Sequence, residues 1–174
     1  MSDKFTVNEI NAVNLTAAKL IKSIDIIKNA SAIMQGKTLD DGNLKTIFLC
    51  LREVKEVLGN FNQDISYFSC LLAKQFLIEK YNIGRIDVSL KSQSAPGFDI
   101  EAVSVDGKRI IAEIKTNSPY KAPSDFGAAQ KEEILKDIEK LRNANADVKF
   151  LFVTEKDAFI ILDRKYKQNT EGIM

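Results

Sequence analysis

The chain has 174 residues, 45% of them hydrophobic and 28% charged, with a net charge of +1. That length and apolar content suit one compact domain with a core and a helical extension, and the near-neutral balance argues against a protein that coats nucleic acid by bulk charge. The absence of histidine excludes Ser-His-Asp and Cys-His hydrolases, histidine-ligated zinc and histidine-based nucleases within this chain, leaving carboxylates, lysine and an oxygen-held metal for any hydrolysis.

The start, Met1-Ser2-Asp3-Lys4, is followed by no apolar segment of the signal-peptide kind, and the longest apolar stretch, residues 67–78, is broken by Lys74. A cytoplasmic protein without a membrane span is expected. Cys50 and Cys70 sit in apolar helical runs without a CxxC pair, which predicts small buried hydrophobes in a reducing compartment.

The first half reads helical. Val7, Ile10, Val13, Ala17, Leu20, Ile21, Ile24 and Ile27 recur at helical spacing and predict one inward face of a long helix. Breaks follow at Gln35-Gly36-Lys37 and Asp40-Asp41-Gly42-Asn43. Leu44, Ile47, Phe48, Leu51, Val54 and Leu58 form a second stripe, ended by Gly59-Asn60, and Ile65, Phe68, Leu72, Phe76 and Leu77 a third, ended at residues 81–84.

At Arg85 the period becomes alternating. Ile86, Val88 and Leu90 predict a strand, residues 92–97 a loop, and residues 98–105 and 108–116 two strands around Asp106-Gly107. A proline-containing loop covers 117–124, and an amphipathic helix is expected over 125–143, capped by Ser124 or Asp125, with Phe126, Ile134, Leu135, Ile138 and Leu141 inward. Residues 148–153 predict a buried strand and 159–162 another. The charges from Lys136 to Arg142 read as a solvated helix face. Helices followed by βββαβ and a terminal strand predict an α/β fold with a helical N-terminal extension: 1–174 as a single domain, 1–62 the extension and 63–174 the core.

The hairpin carries the chemistry. In its first strand Phe98, Ile100 and Ala102 form one face and Asp99 and Glu101 the other; in its second, Ile110, Ala112 and Ile114 oppose Glu113 and Lys115. A two-residue Asp106-Gly107 turn would set Asp99 opposite Ile114 and mix the faces. A three-residue loop, Val105-Asp106-Gly107 with a left-handed glycine, sets Asp99 opposite Glu113 and Ile100 opposite Ala112. Two carboxylates at facing strand positions repel unless a cation lies between them. Magnesium suits them, with Asp99 and Glu113 as ligands and the Ile114 carbonyl as a third. Lys115, on the same face, could orient or help deprotonate an attacking water, or stabilise charge on a phosphate. Residues 110–114 read as a central strand covered on both faces, where charge needs a reason. Glu101 could add a ligand or be a plain surface acid.

Asp99 followed by Glu113-Ile114-Lys115 at the end of the next strand resembles the PD-(D/E)XK nuclease superfamily, which includes type II restriction endonucleases, junction resolvases and repair nucleases. The resemblance spans residues 67–153, with Phe98 where the motif's name has proline. It implies a restriction-endonuclease-like αβββαβ core, a mixed central sheet flanked by helices, and a Mg2+-dependent DNA endonuclease with Asp99, Glu113 and Lys115 as its catalytic set. It also implies a further acid from the preceding helix, best met by Glu79, with Glu53 and Glu56 further back. Asn117, Ser118, Tyr120 and Lys121 are then expected to touch the DNA backbone. Gln130 is expected to orient water or contact substrate, and Lys131 to neutralise phosphate. A type II restriction enzyme acting as a homodimer on double-stranded DNA, beside a cognate methyltransferase, is the leading expectation. The alternatives are a junction resolvase or repair nuclease, and a non-catalytic DNA-binding or assembly domain on the nuclease fold.

Overall fold

A computed structural model describes residues 4–35, 44–59, 61–84, 86–90 and 96–174. Helices α1 (Val7–Met34), α2 (Leu44–Leu58) and α3 (Phe61–Tyr81) come first, then a 3-10 turn (Val88–Leu90). Strands β1 (Ile100–Val103) and β2 (Arg109–Lys115), helix α4 (Ala128–Asn143), strand β3 (Val148–Val153) and helix α5 (Lys156–Lys165) complete the chain. The breaks expected at 36–37, 40–43 and 60, the strand start at Arg85, and residues 92–95 lie outside the described residues. No helix among the described residues is long and apolar enough to cross a membrane.

The chain divides into two compact units, Val7–Asp64 and Met1–Thr6 with Ile65–Met174. In the first, α1 packs on α2 and Lys19 pairs with Asp64 at 2.9 Å. The α1 stripe is less buried than its period predicts: Val7, Ile21, Ile24 and Ile27 stay exposed, as do Phe48 and Leu51 of α2. Two packed helices share a single seam, too narrow for both broad apolar stripes.

The second unit is built on a three-stranded mixed sheet in the order β1-β2-β3, antiparallel between β1 and β2 and parallel between β2 and β3. The hairpin register is the one the alternation predicts, with Ile100 opposite Ala112 and Val103 opposite Arg109. The loop is Val105-Asp106-Gly107. Ser104 N donates to Lys108 O at 2.9 Å, Gly107 N donates to Ser104 O at 2.9 Å, and Gly107 has φ +83°, the left-handed region that glycine enters without Cβ strain.

β2 is the covered central strand. Ile110 and Ala112 join Ile100, Ala102, Leu77, Ala73, Ile83 and Phe150 under α3, while Ile111 faces Leu141 of α4. A third cluster locks α4 to α5 through Phe126, Ile134, Ile138, Ile161 and Leu162. Ile110→Ala should therefore cost about 3 kcal/mol by leaving a cavity in the sheet–α3 layer, read as a lower urea midpoint at unchanged slope.

Four local expectations are corrected. Among the described residues the strand expected through Ile86, Val88 and Leu90 does not form; only Ile83, ahead of it, makes an antiparallel bridge to Ser104. Beyond it Asp87 Oδ1 accepts from Ser89 N at 2.9 Å and from the Ser89 hydroxyl, bending the chain into the 3-10 turn. Among the described residues the sheet therefore has β1, β2 and β3, where βββαβ would have four strands. Residues 159–162 are not a strand but part of α5, because Ala158, Ile161 and Leu162 bury at helical spacing while Phe159 and Ile160 face out; a four-residue apolar run cannot by itself choose between the periods. Helix α4 starts at Ala128 after Gly127 in extended backbone, not at a Ser124 or Asp125 cap. Asp125 instead anchors α5, accepting from Lys165 at 2.9 Å and Tyr166 at 3.0 Å. Finally, Phe98 does not share a face with Ile100. It precedes β1, after Gly97 at φ +101°, and packs on Ile111 and Leu141.

Candidate active site

A cleft of about 380 Å³ opens at the end of the hairpin, lined by Asp99, Glu113, Ile114, Lys115, Thr116 and Asn117, by Ser66, Tyr67 and Cys70 of α3, and by Glu133, Asp137 and Lys140 of α4. The predicted Asp99, Glu113 and Lys115 thus share one cavity. One register step beyond the Ile100–Ala112 pair sets Asp99 against Glu113. Asp99 Oδ2 accepts from the Ile114 backbone N–H at 2.7 Å, which ties the acid to the next strand where β1 has ended. Lys115 O accepts from Thr154 N on the β3 side at 3.1 Å. The Ile114 carbonyl, one residue earlier in the strand, therefore faces the opposite, Asp99 edge.

Glu113 is buried, and its Oε1 accepts from Lys140 Nζ at 2.5 Å. Burial pushes its carboxyl up to about 7; the Lys140 ammonium opposes this, and the Asp99 charge adds to it. Lys115 pairs with Glu133 at 2.9 Å and Asp137 at 2.5 Å. Burial alone would lower its pKa, but the hydrogen bonds and charges of those two acids leave it raised above the ordinary lysine value. Lys115 is therefore held as a cation by its two acids, an arrangement that favours holding water or phosphate charge.

Among the charged side chains lining the cleft, four carboxylates stand against two lysines. Such a balance repels phosphate until a cation is added. Among the described residues no three of His, Cys, Asp and Glu converge as a metal-binding group. Two facing carboxylates with a carbonyl still match the sparse, oxygen-only set that magnesium uses while keeping water and phosphate in its remaining positions.

The other predicted residues fall into different places. Glu79 does not line the cleft; it accepts from Lys4 at 2.5 Å and Gln75 at 3.2 Å. Glu53 and Glu56 belong to the α1–α2 unit. Glu101 pairs with Arg109 at 3.4 Å on the surface. Lys131 lies 5.5 Å over the Tyr166 ring. Of the expected backbone-contact loop, Asn117 lines the cleft, whereas Ser118, Lys121 and Tyr120 do not, and Tyr120 is 86% exposed.

Gln130 is a loop clamp. Its Oε1 accepts from Tyr120 N at 2.8 Å and Gly127 N at 3.1 Å, and its Nε2 donates to Ser118 O at 2.8 Å. These three backbone bonds build Gln130 into the loop that leaves the cleft. Gln130→Ala should cost about 2 kcal/mol and make the 118–121 segment the first site of limited proteolysis.

The α4 residues escaped the sequence reading, which took Lys136 to Arg142 as solvated. Glu133, Asp137 and Lys140 each precede a buried residue, Ile134, Ile138 and Leu141. That offset puts them on the flank of the apolar stripe, beside the sheet, and is the signal that marks them. Cys50 is buried and Cys70 partly so, and neither forms a disulfide. Comparison with family models, curated proteins and solved structures found no match to this chain.

Proposed function

We propose that this chain is a Mg2+-dependent deoxyribonuclease on a restriction-endonuclease-like core, closest in kind to a type II restriction enzyme. The observation that carries the reading is that Asp99 and buried Glu113, on the two strands of the hairpin, line one cleft together with Lys115. Buried like charges are costly, and a hard divalent cation relieves them. Asp99, Glu113 and the Ile114 carbonyl would hold the ion. Magnesium bound there would supply neutralisation of phosphate charge and a more acidic water.

The chain's own residues do the rest. The Ile114 N–H holds Asp99 in place through Oδ2. Lys115, kept charged by Glu133 and Asp137, meets the negative charge that develops on the phosphate oxygens. Asn117 at the cleft wall offers an amide to the sugar–phosphate backbone.

A second reading, a non-catalytic DNA-binding or assembly domain, is favoured by one observation: Lys115 and Lys140 are already paired with carboxylates of the same cleft. Supercoiled plasmid incubated with the protein in Mg2+ or EDTA separates the two. Nicking that requires Mg2+ and is lost in Lys115→Ala supports the nuclease; DNA retention with no nicking supports the binding domain.

A further inference from the structure

Lys140 has no role in that chemistry, yet it sits at its centre. From α4 its ammonium donates to Glu113 Oε1 at 2.5 Å and to the Gly97 carbonyl at 2.6 Å, and it lies 4.7 Å over the Phe98 ring. Helix, loop and central strand meet at this one cation. Resting on the metal reading above, we propose that Lys140 is the resident counter-ion of Glu113 in the metal-free protein and is displaced when a divalent cation binds.

The Glu113 side chain is 7% exposed, so its charge needs a partner when no metal is bound. Two cations on one carboxylate repel each other, and a carboxylate already shared with an ammonium attracts an incoming ion less. Lys140 can let go: its side chain is 37% exposed, on a flexible stem whose head is readily hydrated. Lys115, 19% exposed and held by two acids, cannot. The two lysines of the cleft therefore divide the work, one fixed and one exchangeable. Lys140 sets a threshold that a metal must exceed before the acidic pair is committed to it.

Calorimetric Mn2+ titration without DNA tests this, on wild type, Lys140→Gln, Lys140→Arg and Glu113→Gln. Lys140→Gln is expected to bind Mn2+ about tenfold tighter, as removal of one like charge beside a partly shielded ion implies. Lys140→Arg should bind Mn2+ no tighter than wild type, since the charge stays and a guanidinium leaves a carboxylate less readily, and Glu113→Gln should lose binding. If Glu113→Gln loses binding but Lys140→Gln is unchanged or weaker, the displacement is overturned and the metal site stands. If wild type and Glu113→Gln bind alike, or neither binds, the metal reading fails and takes this inference with it. A second measurement needs no folded neutral variant. In 13C-lysine NMR spectra of wild type, the Lys140 Cε signal, assigned by its loss in Lys140→Arg, should move to the solvated-lysine position as Mg2+ saturates. A signal unmoved at saturation overturns the proposal.

Discussion

Lys115→Ala is expected to lower Mg2+-dependent plasmid nicking by about a thousandfold, the size of losing one preorganised charge at a developing oxyanion. Of the other cations nearby, Lys131 is engaged with the Tyr166 ring, and Lys140, once released from Glu113, lacks the two acids that hold Lys115 in place. The loss should fall on turnover, with Mg2+ affinity equal to wild type or higher, since a cation is being removed from beside carboxylates. Asp137 and Glu133 lose their partner in the variant. Circular dichroism and a melting curve in EDTA therefore accompany the assay, to separate an absent cation from an unfolded cleft. Cleavage at the wild-type rate would remove Lys115 from the mechanism.

Glu113→Gln should do the opposite to stability. The carboxyl stands at about 7 in the folded chain against an ordinary value of 4.5. Between those values the native state binds a proton that the unfolded state has released, so metal-free stability falls as pH rises through this window and levels off above about 7. The cost of the buried charge at pH 8 is about 3 kcal/mol, with the pull of Lys140 already included in the shift. Glutamine mimics the neutral acid, so in EDTA at pH 8 the variant should melt roughly 5–10 °C above wild type, with no gain near pH 4. Saturating Mg2+ should raise the wild-type Tm at pH 8 and leave the variant's unchanged. A variant less stable than wild type at pH 8 would show that Glu113 is a structural partner of Lys140 and not a charge held for a ligand.

Different parts of the molecule were legible in the sequence to different degrees, for physical reasons. The hairpin was readable because a strand has a period of two and Gly107 accepts a left-handed backbone, so only one loop parity keeps Ile100 and Ala112 on one side and Asp99 and Glu113 on the other. Residues 86–90 misled because apolar alternation says nothing of side-chain bonds: Asp87 captures Ser89 locally and outcompetes a ladder. Residues 159–162 misled because the contacts that decide their period come from Phe126, ahead of α4, and from Ile134 on α4, far away in sequence. The site divides the same way. Its acids on the hairpin were visible, but Glu133, Asp137 and Lys140 enter through the rotational phase of α4. That phase depends on where the helix starts, and the expected cap at Ser124 or Asp125 is not the one used.

The three-residue loop of the hairpin has a genetic consequence. Replacing Val105 or Asp106 leaves the left-handed glycine in place, and the cleft keeps its acids. Replacing Gly107 by a β-branched residue strains that backbone, and the competing two-residue turn would set Asp99 opposite Ile114, mixing a carboxylate with the apolar face. Variant libraries should therefore accept many letters at positions 105 and 106 and few at 107. The turn lies outside the cleft, yet its glycine is as much a part of the site as the acids themselves.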